Sequence, residues 1–503
     1  GQIDEDSFYR VWVRDQEYSE GELMSGLPAR DDGYARKAGF RFDKQLGMDL
    51  DLTIAGGFAT RRVEHIMDLT ARLFYYNAAD PSSPIPIHLA SALSLPNLPS
   101  PLIPTSWQSS AVPGQTISAL GLPRYQNYEE MPQDASHLRA KLSGITDNDL
   151  EWSLSGYAEL YDTSLGHVGH SWEREEFDVD FKANRPIGDR NHLAFGFSAR
   201  HMSLDVDEIA TPPWRFPTFD PSTGTLRSDI PILDYGTSPT SFDRYAGFIQ
   251  NSLDLNDRAV LSLGSKFEDS DLTGSSIQPG ARLSYALDKR NILWGAYSRA
   301  YRQASLVEKF TKVSYGRIWN HPLVPGQWLP MDFESDPTLD DEKMDAFELG
   351  WRTRPQDNLL FELSIYHYDT QNAVFSGPPI YSTSDVKTTG GELTFDYNPS
   401  HNWRLQGGYS YSGGKKDGAV QLDFPESMAN LSSNLKVRDD LIFTQSLYYT
   451  GERTIPSAYN PIPLDDYLRL DLGLVWRPDE SLEIGLFGRD LLDPDHAENM
   501  YND

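Results

Sequence analysis

Strict alternation of apolar and polar residues is the feature that most constrains this chain. Met48, Leu50, Leu52 and Ile54 alternate with Asp49, Asp51 and Thr53. Phe177, Val179, Phe181 and Ala183 alternate with Asp178, Asp180 and Lys182. The same holds at Leu359 to Tyr366, at Leu468 to Trp476 and at Leu482 to Phe487. Successive side chains of a β-strand point to opposite faces, so each segment has one apolar and one charge-bearing face. No comparable 3.6-residue stripe spans a long window. The apolar runs are only a few residues long, far short of the ~18 that a membrane helix needs.

A soluble sandwich would also alternate, but three features favour a membrane barrel. The alternating segments are long, near the ~9–11 residues of a tilted membrane strand. Aromatics sit at their ends: Trp12, Tyr34, Trp152, Tyr245, Trp351, Tyr397, Trp403 and Trp476, as in interfacial girdles. The connections also alternate in length. Short Asp-, Asn-, Pro- and Gly-rich turns, such as Thr146-Asp147-Asn148 and Asp288-Lys289-Arg290, are separated by longer stretches such as Arg61 to Ser136, Asp205 to Thr240 and Ala304 to Glu342. Only Asp271 to Ser275 breaks the rhythm. Short turns on one rim and long loops on the other are the outer-membrane barrel pattern. Counting this way gives roughly nineteen strands, an odd number where single-chain bacterial barrels have even ones. The Pro-rich stretch from Asn77 to Gln133 is expected to be an ordered extended loop and not a central strand, because proline removes ladder donors.

Composition narrows the function. The chain has 503 residues, 44 Lys+Arg and 74 Asp+Glu, for a net charge of −30. That balance argues against nucleic-acid binding, which needs clustered cations on phosphates. With 11 Trp, 26 Tyr and 23 Phe, most of the chain is not disordered. Zero cysteines exclude disulfides, thiolate metal sites and thiol catalysis. No Gly-x-Ser-x-Gly, His-Glu-x-x-His or phosphate-loop string is present. No enzymatic activity, catalytic residue, metal or cofactor is therefore expected. His167 and His170 at i, i+3, and the acidic set Asp336, Asp340, Asp341 and Glu342, fit solvated loop surface better than metal sites. Arg282, Arg299, Glu348, Arg352 and Glu392 fit the polar lining of a lumen. The loop aromatics Trp214, Phe216, Tyr315, Trp319, Trp328 and Tyr381 offer stacking area with polar handles for a ligand, or pack loop against loop.

Specific strings carry a family resemblance. Ile277-Gln-Pro-Gly-Ala-Arg-Leu-Ser-Tyr-Ala-Leu287 precedes Leu293-Trp-Gly-Ala-Tyr-Ser-Arg-Ala-Tyr-Arg302; Asp336-Pro-Thr-Leu-Asp340 and Glu342-Lys-Met-Asp-Ala-Phe-Glu-Leu-Gly-Trp-Arg352 follow. Later come Thr389-Gly-Gly-Glu-Leu393, Tyr467-Leu-Arg-Leu-Asp-Leu472 and Ile484-Gly-Leu-Phe-Gly-Arg-Asp-Leu-Leu-Asp493. In order and spacing these resemble the barrel half of TonB-dependent outer-membrane receptors, most clearly after Phe242. The resemblance implies an all-β fold, a large antiparallel transmembrane β-barrel of about 22 strands filled by an N-terminal plug. Residues 1–503 are then expected to be a barrel fragment, without the plug, the first strands and the last strand. The resemblance further implies a monomeric transporter in the bacterial outer membrane, contacting lipid and lipopolysaccharide. It would bind a scarce ligand such as a ferric siderophore and import it with energy from the TonB complex, reached through the plug. A passive porin-like channel is the alternative, and a soluble secreted carbohydrate-binding β protein a third.

Overall fold

The computed structural model describes residues 1–19, 32–70, 73–75, 85–86, 115–117, 123–165, 170–208, 218–220, 225–227, 233–234, 241–319, 328–376, 381–420, 423–455, 462–479 and 481–492. One sheet of 22 members dominates, and three of those members are pieces of two or three residues. The remaining nineteen are β1 (Ser7–Tyr18), β2 (Gly33–Gly47), β3 (Leu50–Thr70), β4 (Pro123–Ile145), β5 (Glu151–Leu165), β6 (His170–Ile187), β7 (Asn191–Glu208), β8 (Ser241–Asn256), β9 (Ala259–Ser270) and β10 (Gly274–Ala286). They continue as β11 (Asn291–Arg302), β12 (Glu342–Gln356), β13 (Leu359–Ser376), β14 (Tyr381–Ser400), β15 (Trp403–Lys416), β16 (Ser427–Arg438), β17 (Leu441–Thr450), β18 (Tyr467–Asp479) and β19 (Leu482–Gly488). Each pairs antiparallel with its chain neighbours, from β1–β2 to β18–β19. Among the described residues no ladder joins β1 to β19.

The two faces follow from the register. Phe177, Val179 and Phe181 on β6 lie opposite His201, Ala199 and Phe197 on β7, and Phe181 stacks on Phe197 at 5.3 Å. Tyr297 of β11 lies opposite Phe347 of β12, their rings 5.1 Å apart. Leu349 is 58% exposed and Leu486 72%, so this apolar face packs on no other protein layer. The buried apolar side chains are mostly alanines: Ala35, Ala183, Ala259, Ala304, Ala346 and Ala373, with Leu339 and Leu464. A sandwich would bury its Leu, Ile and Phe between two sheets. Here they face outward, as lipid requires; away from the long-loop rim, the charges lie mainly on the opposite face.

Prolines mark where the wall ends. The expectation that no strand lies between Asn77 and Gln133 is corrected by β4, which starts at Pro123 and pairs with β3 up to Thr70 opposite Arg124. The β4–β5 ladder begins only at Gln133 opposite Thr163, so Pro132 stands one residue past it. Its missing donor faces no β5 rung, the edge condition under which a strand tolerates proline. Pro279 of β10 likewise lies one residue outside the β10–β11 ladder, which begins at Gly280 opposite Ser298.

Short turns, for example at 146–150 and 439–440, close one rim. On the other rim, long connections build structure of their own. Leu73–Tyr75, Ile85–Pro86, Leu233–Asp234, Lys312–Trp319 and Trp328–Glu334 form a separate five-stranded sheet. It unites the connections after β3, β7 and β11, and Lys312–Trp319 runs parallel to Leu73–Tyr75. The only helix among the described residues, α1 (Leu306–Phe310), follows β11. Ser305 and Glu308 form a reciprocal capping box that satisfies two of its first donors.

Candidate functional site

Of the residues expected to line the lumen, Arg282, Glu348, Arg352 and Glu392 lie on the polar face. Arg282 stacks 4.3 Å over the Trp294 ring. Glu348 accepts a bond from the Tyr368 hydroxyl at 2.9 Å. Arg352 pairs with Glu362 across the β12–β13 ladder. Glu392 lies opposite Ser364 and Ser410. Arg299 requires a correction. It lies opposite Asp345 and two residues from Tyr297, which faces Phe347, so period two places it on the apolar outer face. The Ser298-Arg299-Ala300 string named a charge, but charge alone does not decide the face.

The loop aromatics are placed unequally. Trp214 and Phe216 lie outside the described residues. Tyr315 and Trp319 belong to the strand Lys312–Trp319, and Trp328 opens the next strand, with Trp319 opposite Trp328; their side chains lie outside the described set. Tyr381 opens β14 opposite Ser376 and is half-buried. His167 and the side chain of His170 are outside the described residues.

Three of the four acidic residues are engaged locally, and Asp340 is exposed. Asp336 accepts from the Thr338 N–H at 2.8 Å and hydroxyl at 2.6 Å, which holds its carboxyl below the ordinary range. Burial pushes the Asp341 carboxyl up, although it accepts from the Ala304 N–H. Glu342 bonds Arg302 at 2.6 Å and the Val374 N–H at 2.6 Å.

A cleft of about 550 Å³ lies on the polar face where β5 to β8 reach the long-loop rim. Its walls include Tyr161, Trp172, Arg174, Arg200, Met202, Phe242 and Arg244, and the segment Gln303–Val307 entering α1 closes one side. Arg174 pairs with Glu159 and sits 5.4 Å from the Tyr161 ring. Arg200 is held by Glu176 and Asp178, both at 3.1 Å. Arg244 lies directly opposite Arg200, with no ion pair among the described residues. Like charges directly opposed across a ladder are destabilising. An anion between them would relieve that repulsion, and the aromatic walls would exclude water from the contact.

These cleft residues were not singled out in the sequence, yet a signal exists. Trp172-Glu173-Arg174 and Phe242-Asp243-Arg244 are both aromatic–acid–arginine triplets at long-loop ends of strands. Period two sends the aromatic and the arginine to one face and the acid to the other.

Comparison with known proteins bears on this geometry. Residues 90–491 match the family described as TonB dependent receptor-like, beta-barrel. A variant of the ferric enterobactin receptor PfeA of Pseudomonas aeruginosa, in complex with enterobactin, superposes with a TM-score of 0.67 at 14% identity, covering 98% of this chain and 72% of that one. The siderophore receptor PirA of Acinetobacter baumannii gives 0.66 at 11%, with 98% and 72% covered. PirA of Pseudomonas aeruginosa gives 0.54 at 12%, with 98% and 78% covered. No curated protein sequence matches the chain. Sequence strings, barrel and family match agree: the chain belongs to the TonB-dependent receptor-like β-barrel family.

Proposed function

We propose that this barrel binds a ferric siderophore or a similar scarce chelate in the cleft between β5–β8 and α1, and imports it with TonB-derived energy. The family is one of outer-membrane receptors and transporters, not an enzyme class. The carrying observation is the facing pair Arg200 and Arg244 beside Tyr161, Trp172 and Phe242. A compact anionic chelate with flat aromatic groups suits both charge and walls. The TonB complex would act through a plug domain filling the lumen, and the assembly would work as a monomer.

The test uses the full-length receptor and the ferric complex of 2,3-dihydroxybenzoate as probe. Arg244→Gln should raise Kd by about ten- to a hundredfold, the range for a bond to a charged group worth ~1.5–3 kcal/mol. Cells should accumulate the labelled iron only when TonB is present. Equal accumulation without TonB would mark a passive channel instead.

A further inference from the structure

The facing arginines of the cleft end a longer row on the lumen wall. Register links Arg244 to Arg200, Arg200 to Asp178, Asp178 to Tyr157 and Tyr157 to Arg139. It continues from Arg139 to Ala55, Ala55 to Arg41 and Arg41 to Arg10. One hydrogen-bonded row across β1–β8 thus carries five arginines and one aspartate, in a chain whose net charge is −30. The row above holds Glu159 and Glu176, and the row below mixes Asp43, Lys141 and Asp180.

The row is also a ramp. Arg10 lies three residues from Ser7, at the short-turn end of β1, whereas Arg244 lies three residues from Ser241, at the long-loop end of β8. Barrel strands tilt by about 35–45°, so a row perpendicular to them climbs roughly 3 Å for each ~4.8 Å strand spacing, or about 20 Å over seven steps. Its lower end repeats the feature that marks the cleft, because Arg10 stands directly opposite Arg41 and like charges so placed repel. Arg41 is held by Asp43 at 2.7 and 2.8 Å. Arg10 and Arg139 are exposed and have no hydrogen bond or ion pair among the described residues. The facing wall differs. Arg302, Arg352, Arg404 and Arg469 each hold a carboxylate, and Arg282 lies over the Trp294 ring. No lumen row from β10 to β18 carries more than two arginines.

We propose that the β1–β8 row is an anion track, a series of guanidinium sites that hands an anionic solute from the Arg200–Arg244 cleft down the lumen wall to the short-turn rim. Conduction needs sites that are several in number and individually weak. Free guanidiniums spaced along a water-facing wall meet that need, and arginines already locked to carboxylates do not. The proposal takes its cargo from the chelate reading, but the anion sites themselves do not depend on it.

Two experiments on the full-length receptor test the track. In crystals soaked in bromide, anomalous peaks should appear beside Arg10–Arg41 and Arg139 and be absent beside Arg404 and Arg469. Guanidiniums of Arg10, Arg41 and Arg139 engaged by other carboxylates of the receptor, with no bromide beside them, would overturn the track. The second experiment separates transport from binding in Arg10→Gln with Arg139→Gln. Its Kd for the ferric complex of 2,3-dihydroxybenzoate should stay within about twofold, because Arg139 stands three strands from Arg200, roughly 14 Å, beyond the Debye length of ~8 Å. TonB-dependent accumulation should fall about tenfold, since the lower track loses its charge-assisted contacts. Arg10→Lys with Arg139→Lys should restore most of it, and Arg404→Gln should leave it intact. Normal accumulation in the folded Gln variant, or no recovery with lysine, would overturn the track. If the unaltered receptor does not bind the ferric complex, the chelate reading fails and the bromide peaks alone decide the track.

Discussion

Two arginine groups on this barrel use similar chemistry on opposite faces. On β7 and β8, Arg200 and Arg244 point into the lumen beside Trp172 and Phe242. On β11 and β12, Arg299 points outward, bonded to Asp345 and flanked by Tyr297. Both are arginines near carboxylates and aromatics at the long-loop rim. One residue of register separates a site that faces water from one that faces lipid, because each step along a strand changes face. The faces therefore should respond differently to the same substitution.

The largest effect should come from testing that asymmetry directly. Leu349 lies in the aliphatic row of the outer face, and Ser298 is exposed on the polar face between Gly280 and Ala346. Leu349→Arg should destabilise the lipid-inserted receptor by about 2–4 kcal/mol, the range for a cation near the bilayer midplane. Ser298→Arg should cost below about 0.5 kcal/mol, as for an exposed polar site. Reversible urea unfolding in lipid vesicles measures both. Similar costs would mean that the faces are assigned wrongly.

The alternation made this architecture legible from residues alone, and the turn-and-loop rhythm placed nearly every strand. Legibility failed where a second strand was needed. Pro132 read as a strand breaker because its position beyond the β5 ladder is a property of the pair, not of the residue. Arg299 read as lumen because an isolated arginine carries no face until its partner across the ladder is known. The cleft was missed for the same reason: Arg200 and Arg244 are 44 residues apart in number but directly opposed in the sheet.

A smaller effect should sharpen the lumen side. Arg200 is partly neutralised by Glu176 and Asp178. Removing one carboxylate with Glu176→Gln frees guanidinium charge for an anionic ligand. The variant should bind the ferric dihydroxybenzoate complex about two- to fivefold more tightly, in line with ~0.5–1 kcal/mol for a partly exposed pair. Arg244→Gln moves affinity the other way, so the pair of variants brackets the site. Isothermal titration of the full-length receptor reads both signs, and a loss with Glu176→Gln would show that this carboxylate contacts the ligand itself.

The most local effect concerns α1, which closes the lumen cleft. Its first turn is held by Ser305 and Glu308, and Glu308 also takes Arg302 in a two-bond contact at 3.0 and 3.1 Å. Ser305→Ala removes the cap that accepts the Glu308 N–H, a loss of about 1 kcal/mol, so amide exchange across Leu306–Phe310 should quicken about fivefold. Burial works to raise the Glu308 carboxyl, but the Arg302 guanidinium and the Ser305 donors outweigh it, and its pKa falls below the ordinary 4.5. A depressed carboxylate adds stability that is complete above the unfolded value and fades as pH falls through the folded one. Protection of α1 should therefore be flat from neutral pH down to about 5 and decline below 4.5. In Glu308→Gln that acid limb should disappear, whereas Ser305→Ala should keep it at a lower plateau. Protection that stays flat through that acid range in the unaltered receptor would mean that the Arg302–Glu308 contact does not hold the helix against the barrel wall.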